Sequence, residues 1–294
     1  MATKTKTQAT EASRKTSPAK KARAVTPSKT VSTNGSSPSG QETLRHLYAS
    51  LLRCRLAHEQ ARRSSGDYDL AIGHEAVIVG PTAELSAEDT IASCARNLAA
   101  LVARGLPLAS LLADPRSGEP ASKPVLLPSL PEDPFNLATG IALAYKLEKQ
   151  RRVVVAFCPQ ESPALETWQE ALKFAGVHKL PVIYVIKNGI ADQQSSSDHA
   201  PHLEAFSFMA RDYGYPGIIV DGQDVVAVWR VAHESIHRAR NGSGPTLIDC
   251  RTDAKRDPLA HMEHYMRKRN VWDEGWRKQL EEEIRSEIEK AARS

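Results

Sequence analysis

The passage "VVVAFCPQESPALETWQEALKFAG" (153–176) opens as an apolar strand and closes as a helix, with "CPQES" between them. A phosphate is often held at such a strand-to-helix turn, on the N-terminus of the helix. That chemistry calls for glycines, which let the backbone approach the ligand, and for a carboxylate oxygen where a divalent metal bridges. This turn has neither glycine nor aspartate. Pro159 lacks an N–H and fixes φ, Gln160 offers only a neutral amide oxygen, and Glu161 is the first carboxylate. Cys158 stands just before the turn. A thiol at a helix N-terminus can be reactive, although free cysteine is more commonly a buried structural residue.

Two other stretches hold residue types that do chemistry. "HESIH" (233–237) fits H-E-x-x-H, which on a helix puts two imidazoles on one face beside a glutamate, as for zinc. A third ligand would have to be His261, Glu263 or His264, and the "RAR" that follows reads as a solvated face. Surface histidines are the simpler reading. "SSSDH" (195–199) contains the types of a hydrolase triad, but triad members converge from separate elements. With His202 it reads as an exposed polar loop.

The elements that must position these residues alternate. "RVVVAF" (152–157), "PVIYVI" (181–186), "GIIV" (217–220) and "TLIDC" (246–250) read as strands, and 137–150, 163–177, 201–213 and 223–240 as helices. Continuous apolar strands between helices imply a parallel sheet covered on both faces. Leu44, Leu47, Tyr48, Leu51 and Leu52 follow helical spacing, and 272–292 reads as a charged amphipathic helix. Asp221-Gly222 and Asn241-Gly242 punctuate turns. The proline-rich stretch 114–134 reads as a loop with little helix or strand character.

The 294 residues, 41% hydrophobic, carry a net charge of +4 that is unevenly spread. Residues 1–40 hold eight Lys and Arg against Glu11 alone, which leaves the remainder mildly acidic. With almost no large apolar side chain, that segment reads as disordered. It is a solubilising tail, an electrostatic tether to nucleic acid or an acidic partner, or a transit peptide; the transit reading is weakened by lysine outnumbering arginine. Four cysteines without a CxxC pair, no membrane-length apolar run and no secretory core point to a reduced, cytoplasmic protein without membrane partners. The expected division is a basic tail over 1–41 and one α/β domain over 42–294.

Taken in order, "LYASLLRCRLAHEQA", "DLAIGHEAVIVG", "NLATGIALAYKLEKQRRVVVAF", "EALKFAGVHKLPVIYVIKNG", "VDGQDVVAVWRVAHESIHRARNGSGPTLID" and "KRDPLAHMEHYMRKRNVWDEGW" resemble one family. It is the alpha subunit of the thiamine-diphosphate-dependent first component of 2-oxoacid dehydrogenase complexes. Pyruvate, branched-chain 2-oxoacid and acetoin dehydrogenases share that subunit type. The resemblance implies a three-layer α/β/α thiamine-diphosphate-binding fold with a mostly parallel sheet.

It also implies a site. In the family a Gly-Asp-Gly turn binds the diphosphate through Mg²⁺, the aspartate being a ligand, and the latter Asn of Glu-Asn-Asn is a second ligand. A gapless count from "EALKFA" puts the first motif on Pro159, Gln160 and Glu161 and the second ligand on Gly189, or on Asn188 after a one-residue deletion. The family stretch Tyr-Arg-x-His-Gly-His becomes Ala95 to Ala100, which keeps Arg96 for the diphosphate but replaces both histidines, by Leu98 and Ala100. A family loop rich in His, Ser and Asp-Pro-Ser is missing after "TLIDC". Glu75 is expected in an intersubunit or core-polar role, "ATG" (138–140) in close packing at a helix start, and Ile183, Val185, Ile219 and Val220 in the sheet core.

The expectation is therefore a non-catalytic or strongly impaired paralogue with a scaffolding or regulatory role, without a catalytic residue or a resident metal. Arg96, Gln160, Glu161, Asn188 and Gly189 mark the former cofactor site. Its partner would be a beta-type subunit or a second copy. The alternative is an active alpha subunit with thiamine diphosphate and Mg²⁺ in a rearranged site, Glu161 supplying the carboxylate and Asn188 the other ligand.

Overall fold

The computed structural model describes residues 40–63, 72–93, 97–108, 111, 125–126, 134–159, 165–189, 205–253 and 255–292. In chain order these form α1 (Gly40–Arg63), α2 (Glu75–Thr82), β1 (Thr90–Ser93), α3 (Leu98–Ala103), β2 (Val125–Leu126), α4 (Pro134–Leu147), β3 (Val154–Pro159) and α5 (Leu165–Val177). There follow β4 (Val182–Gly189), α6 (Ala205–Asp212), β5 (Gly217–Asp221), α7 (Val225–Arg240), β6 (Thr246–Thr252), α8 (Pro258–Lys268) and α9 (Glu274–Ala292).

The strands make one parallel sheet in the order β2-β1-β3-β4-β6-β5. β3 and β4 lie in its middle, which explains their unbroken apolar runs: both faces of each strand are covered. Val155, Phe157, Ile183, Val185, Ile248 and Cys250 face one helical layer, from α1, α2, α3, α7, α8 and α9. Val154, Ala156, Cys158, Tyr184, Ile186 and Leu247 face the other, from α4, α5 and α6. The result is the three-layer α/β/α sandwich that the alternating pattern implies.

Several expectations need correction. The loop over 114–134 contributes β2, whose Val125 pairs with Ile91 of a strand too short to carry a period. Ile219 is not core: β5 is the edge strand, and this side chain is 43% exposed. Gly140 does not mediate close packing at a helix start, because it lies inside α4 and a Cβ there would meet nothing within 4 Å. The last helix begins at Glu274 rather than 272, since Asp273 caps it by accepting from the Trp276 N–H at 3.0 Å.

The helical spacing of α1 holds. Leu47, Tyr48, Leu51 and Leu52 are buried, and the Tyr48 hydroxyl donates to Glu263 on α8 at 2.9 Å while its ring meets Trp272 edge-on at 5.2 Å. Burying each such leucine contributes about 1.5–3 kcal/mol. α9 packs Ile284, Ile288 and Ala291 into the same core, and Arg277 and Arg285 flank Glu281 at helical spacing on its outer side.

Candidate functional site at the carboxyl end of the sheet

Parallel α/β sheets bind ligands beyond the carboxyl ends of their strands. Here β3 ends at Pro159, in register with Lys187 of β4, and β4 runs on to Gly189, in register with Thr252 of β6. Proline is tolerated at this point because the ladder is ending. Pro159 thus stands at the mouth of the sheet. Gln160, Glu161 and Arg96 lie outside the described residues, as do Ser195 to His199 and His202.

Asn188 and Gly189 are described. The Asn188 side chain is 1% exposed and donates from Nδ2 to Oδ1 of Asp249 at 3.1 Å. Thr252 Oγ1 donates to the Asn188 carbonyl at 3.2 Å. The carboxamide oxygen Oδ1 of Asn188 and Oδ2 of Asp249 have no hydrogen-bond partner among the described residues. Burial pushes the Asp249 carboxyl above its ordinary range; the Asn188 hydrogen bond and the Arg251 guanidinium, whose Nε lies 3.7 Å from Oδ2, oppose this. Asp249 is a site residue that the sequence reading missed. Its only signal was a carboxylate inside the apolar run "TLIDC".

Only part of the cofactor site that the resemblance implies falls on described residues. Gly189 supplies no side chain, Asn188 supplies one neutral oxygen, and no cluster of three His, Cys, Asp or Glu among the described residues can hold a metal ion. Mg²⁺ accepts neutral amide oxygens beside carboxylate and phosphate oxygens, so Asn188 could be one ligand of a larger set.

The two positions where the resemblance expects histidines are described. Leu98 and Ala100 are fully buried and belong to the core beneath α1 and α2. Asn97 caps this short helix, accepting from the Ala100 N–H at 3.1 Å while its Nδ2 donates to Ser93 Oγ at 3.2 Å. Residues that would face a reaction centre in the resemblance are packing residues here.

β6 leads to α8 through 253–257, and the described residues of this link are pinned. Gln223, fully buried, accepts from the Asp253 N–H at 3.1 Å and donates to the Arg256 carbonyl at 2.7 Å. Arg256 pairs with Asp221 at 2.7 Å, and Arg55 with Asp257 at 3.0 Å. Asp257 also caps α8. Glu75 has a core-polar role: it is fully buried, bonded to Arg55 Nη2 at 3.1 Å and to the Gly73 N–H at 3.0 Å.

The remaining candidates separate. His233 and His237 lie on α7, but His233 is exposed and bonded through Nδ1 to Glu84 at 2.7 Å, and His237 sits beside Asn241. His261 lies near Asp224, and Glu263 holds Tyr48, so no zinc set assembles from them. Cys54, Cys158 and Cys250 are buried thiols outside any disulfide. His58 on α1 is buried with neither ring nitrogen hydrogen-bonded among the described residues, and burial, aided by Arg55, pushes it down to about 4.

Comparison with known proteins identifies the family. A family model described as the dehydrogenase E1 component matches residues 130–253. The alpha subunit of the acetoin:2,6-dichlorophenolindophenol oxidoreductase of Bacillus subtilis is 33% identical over 202 residues, 64% of this chain and 61% of that subunit. The subunit of the same description from Cupriavidus necator is 31% identical over 240 residues, 73% of this chain and 71% of that one. The pyruvate dehydrogenase E1 component subunit alpha of Acholeplasma laidlawii is 28% identical over 283 residues, 84% of this chain and 82% of that one. A thiamin diphosphate-dependent enzyme of Mycobacterium smegmatis aligns in structure with a TM-score of 0.43 and 19% identity, over 62% of this chain and 32% of its own. The fold is a parallel α/β/α sandwich with a polar pair at its carboxyl mouth. The chain belongs to the alpha-subunit family of 2-oxoacid dehydrogenase first components.

Proposed function

We propose that this chain is a non-catalytic or strongly impaired member of its family, which keeps the scaffold and serves a structural or regulatory role in a dehydrogenase-type assembly. The observation that carries this reading is the burial of Leu98 and Ala100 in the apolar core, at the positions where the resemblance expects imidazoles. Without an imidazole at these two positions, neither can transfer a proton or polarise a substrate. The bare Gly189 and the pinned 253–257 link support it from two other parts of the chain. A beta-type subunit or a second copy is the partner in this reading, and the cytoplasm is the compartment. The basic segment over 1–40 would act as an electrostatic tether, with binding that weakens steeply with salt.

The test is Gln160→Asp, which restores the carboxylate at the former ligand position. With the histidine positions apolar, this variant should remain inactive with 2-oxoacids when supplied with thiamine diphosphate, Mg²⁺ and a beta-type subunit. Measurable oxidative decarboxylation would sink the proposal. One observation favours the rival reading of an active subunit: the unpartnered Asn188 Oδ1 at the mouth of the sheet. Under that reading, Glu161→Ala and Asn188→Ala each raise the cofactor Kd.

A further inference from the structure

Leu147 and Val177 are the most exposed large apolar side chains among the described residues, at 73% and 70%. Each is the last residue of its helix, Leu147 of α4 and Val177 of α5, at the amino end of the sheet. The two ends are neighbours: Lys146 Nζ donates to the His178 carbonyl oxygen, and the strands that follow, β3 and β4, are paired. Phe174, one turn before Val177, is exposed beside them. Side chains as open as Leu147 and Val177 stand clear of their neighbours rather than line a groove. Scattered apolar residues are ordinary on a surface, whereas adjacent ones mark a contact.

This apolar corner is ringed by cations. Over 146–152 and 171–181 stand Lys146, Lys149, Arg151, Arg152, Lys173 and Lys179, with Glu148 the one carboxylate. Cations at helix carboxyl ends are expected, because each end carries roughly half a negative charge. Those two ends together offset about one cation. Glu148 offsets another, and Arg152 pairs with Glu88 at 3.5 Å. Half of the six remain in excess, on a folded region (41–294) that is mildly acidic as a whole.

The backbone gives a second, independent sign. Helices α3 to α7 all close with the same hydrogen-bond pattern, whose turning residue has left-handed backbone. α3, α6 and α7 place glycine there: Gly105, Gly214 and Gly242, with φ of 76°, 83° and 79°. α4 and α5 place lysine: Lys149 and Lys179, with φ of 55° and 44°. Left-handed backbone crowds any Cβ, so glycine is the easier residue. The two helices that accept the strained lysine are the two that end in an open apolar side chain.

We propose that this corner is a contact for an anionic lipid surface, with Leu147 and Val177 in the headgroup region and Lys149, Lys179 and Arg151 on the phosphates around them. Protruding apolar side chains suit insertion between headgroups better than capture of a peptide, which needs a groove. Stable attachment takes two signals, and an apolar insertion with a polybasic patch supplies both. Lysine stems are long enough for the charge to stay among headgroups while the apolar neighbours go deeper. Among the described residues no helix is long and apolar enough to cross a membrane, so the contact is with the surface alone. The expectation of no membrane partner rested on the lack of a span, which does not bear on surface contact. The corner lies at the opposite end of the strands from Asn188 and Asp249, so this inference is independent of whether the cofactor binds.

The full chain should float with vesicles of phosphatidylcholine and phosphatidylglycerol at low salt, stay behind with phosphatidylcholine alone, and be released as salt rises. Each cation near an anionic surface strengthens binding by about fivefold. Lys149→Glu with Lys179→Glu should therefore lower the partition coefficient by about 25-fold or more. Leu147→Ser with Val177→Ser should lower it by roughly 10-fold. Both pairs are exposed, so circular dichroism should be unchanged. The basic segment over 1–40 is the same in every variant, and differences among them report on the folded corner alone. Absence of flotation, or equal binding to neutral vesicles, would overturn the proposal. So would wild-type binding by both double variants, which would assign the attachment to the basic segment. Retention on polyglutamate without flotation, abolished by the same variants, would assign the corner to an acidic protein and overturn it too.

Discussion

Asn188 donates its amide hydrogen to Asp249 at 3.1 Å across the β4–β6 pair, and each residue keeps one buried oxygen without a hydrogen bond among the described residues. This pair sits at the mouth of the parallel sheet, one residue from the position where the family places a metal ligand. The carboxylate is therefore held to a neighbouring strand, and its burial favours the neutral acid.

Replacing Asp249 by Asn should raise the melting temperature at pH 7. The folded-state pKa of Asp249 lies above its unfolded value, so its stabilising contribution is complete only below the unfolded pKa, near 3.9, and is lost as pH rises through the folded value. The gap between variant and wild type should be widest at pH 7 and close as pH falls toward 4. A variant less stable than wild type at pH 7 would show that the ionised form is held by Arg251 instead.

His58→Leu should flatten the acid limb of the stability profile. The folded imidazole is pushed down to about 4 from an ordinary 6.5, so stability is complete above pH 6.5 and is lost progressively as pH falls to about 4. That loss amounts to about 3 kcal/mol at most. Denaturant titrations of both proteins at pH 7 and pH 4.5 measure it, and equal losses in the two would contradict the assignment.

Gln223→Ala should loosen the link between β6 and α8. It removes the acceptor for the Asp253 N–H and a donor to the Arg256 carbonyl, at a cost of about 1–3 kcal/mol. Faster amide exchange over 253–257, with the central strands unchanged, is the expected readout. Uniform destabilisation of the sheet would mean that the link is not a separate unit.

Leu98→His combined with Ala100→His restores the imidazoles in sequence but places them in a sealed apolar core. Burying unpartnered polar groups costs roughly 1–3 kcal/mol each, so the double variant should melt well below wild type and gain no activity. Undiminished stability would show that these positions face a cavity.

How much of this was legible follows from where each signal lies along the chain. β3 and β4 announce themselves because central strands are apolar on both faces, and α1 because Leu47, Leu51 and their neighbours keep one period. β1 and β2 are too short to carry a period. Ile219 looks like core because an edge strand and a central strand can share a composition, and only sheet order separates them. At the site, counting residues reached Asn188 and Gly189. Asp249 could not be reached by counting, since its partner lies 61 positions away and the pairing of β4 with β6 skips a strand. Gln223 was hidden for the same reason, its contacts being set by the fold of a link 30 residues on.

The central claim is that the cofactor site no longer works as one. Isothermal titration of the full chain, alone and with a beta-type subunit, against thiamine diphosphate in excess Mg²⁺ tests it most directly. Heat indistinguishable from dilution in both titrations is the predicted result. Saturable binding with one cofactor per chain, lost in Glu161→Ala or Asn188→Ala, would contradict it and restore the chain to its family's chemistry.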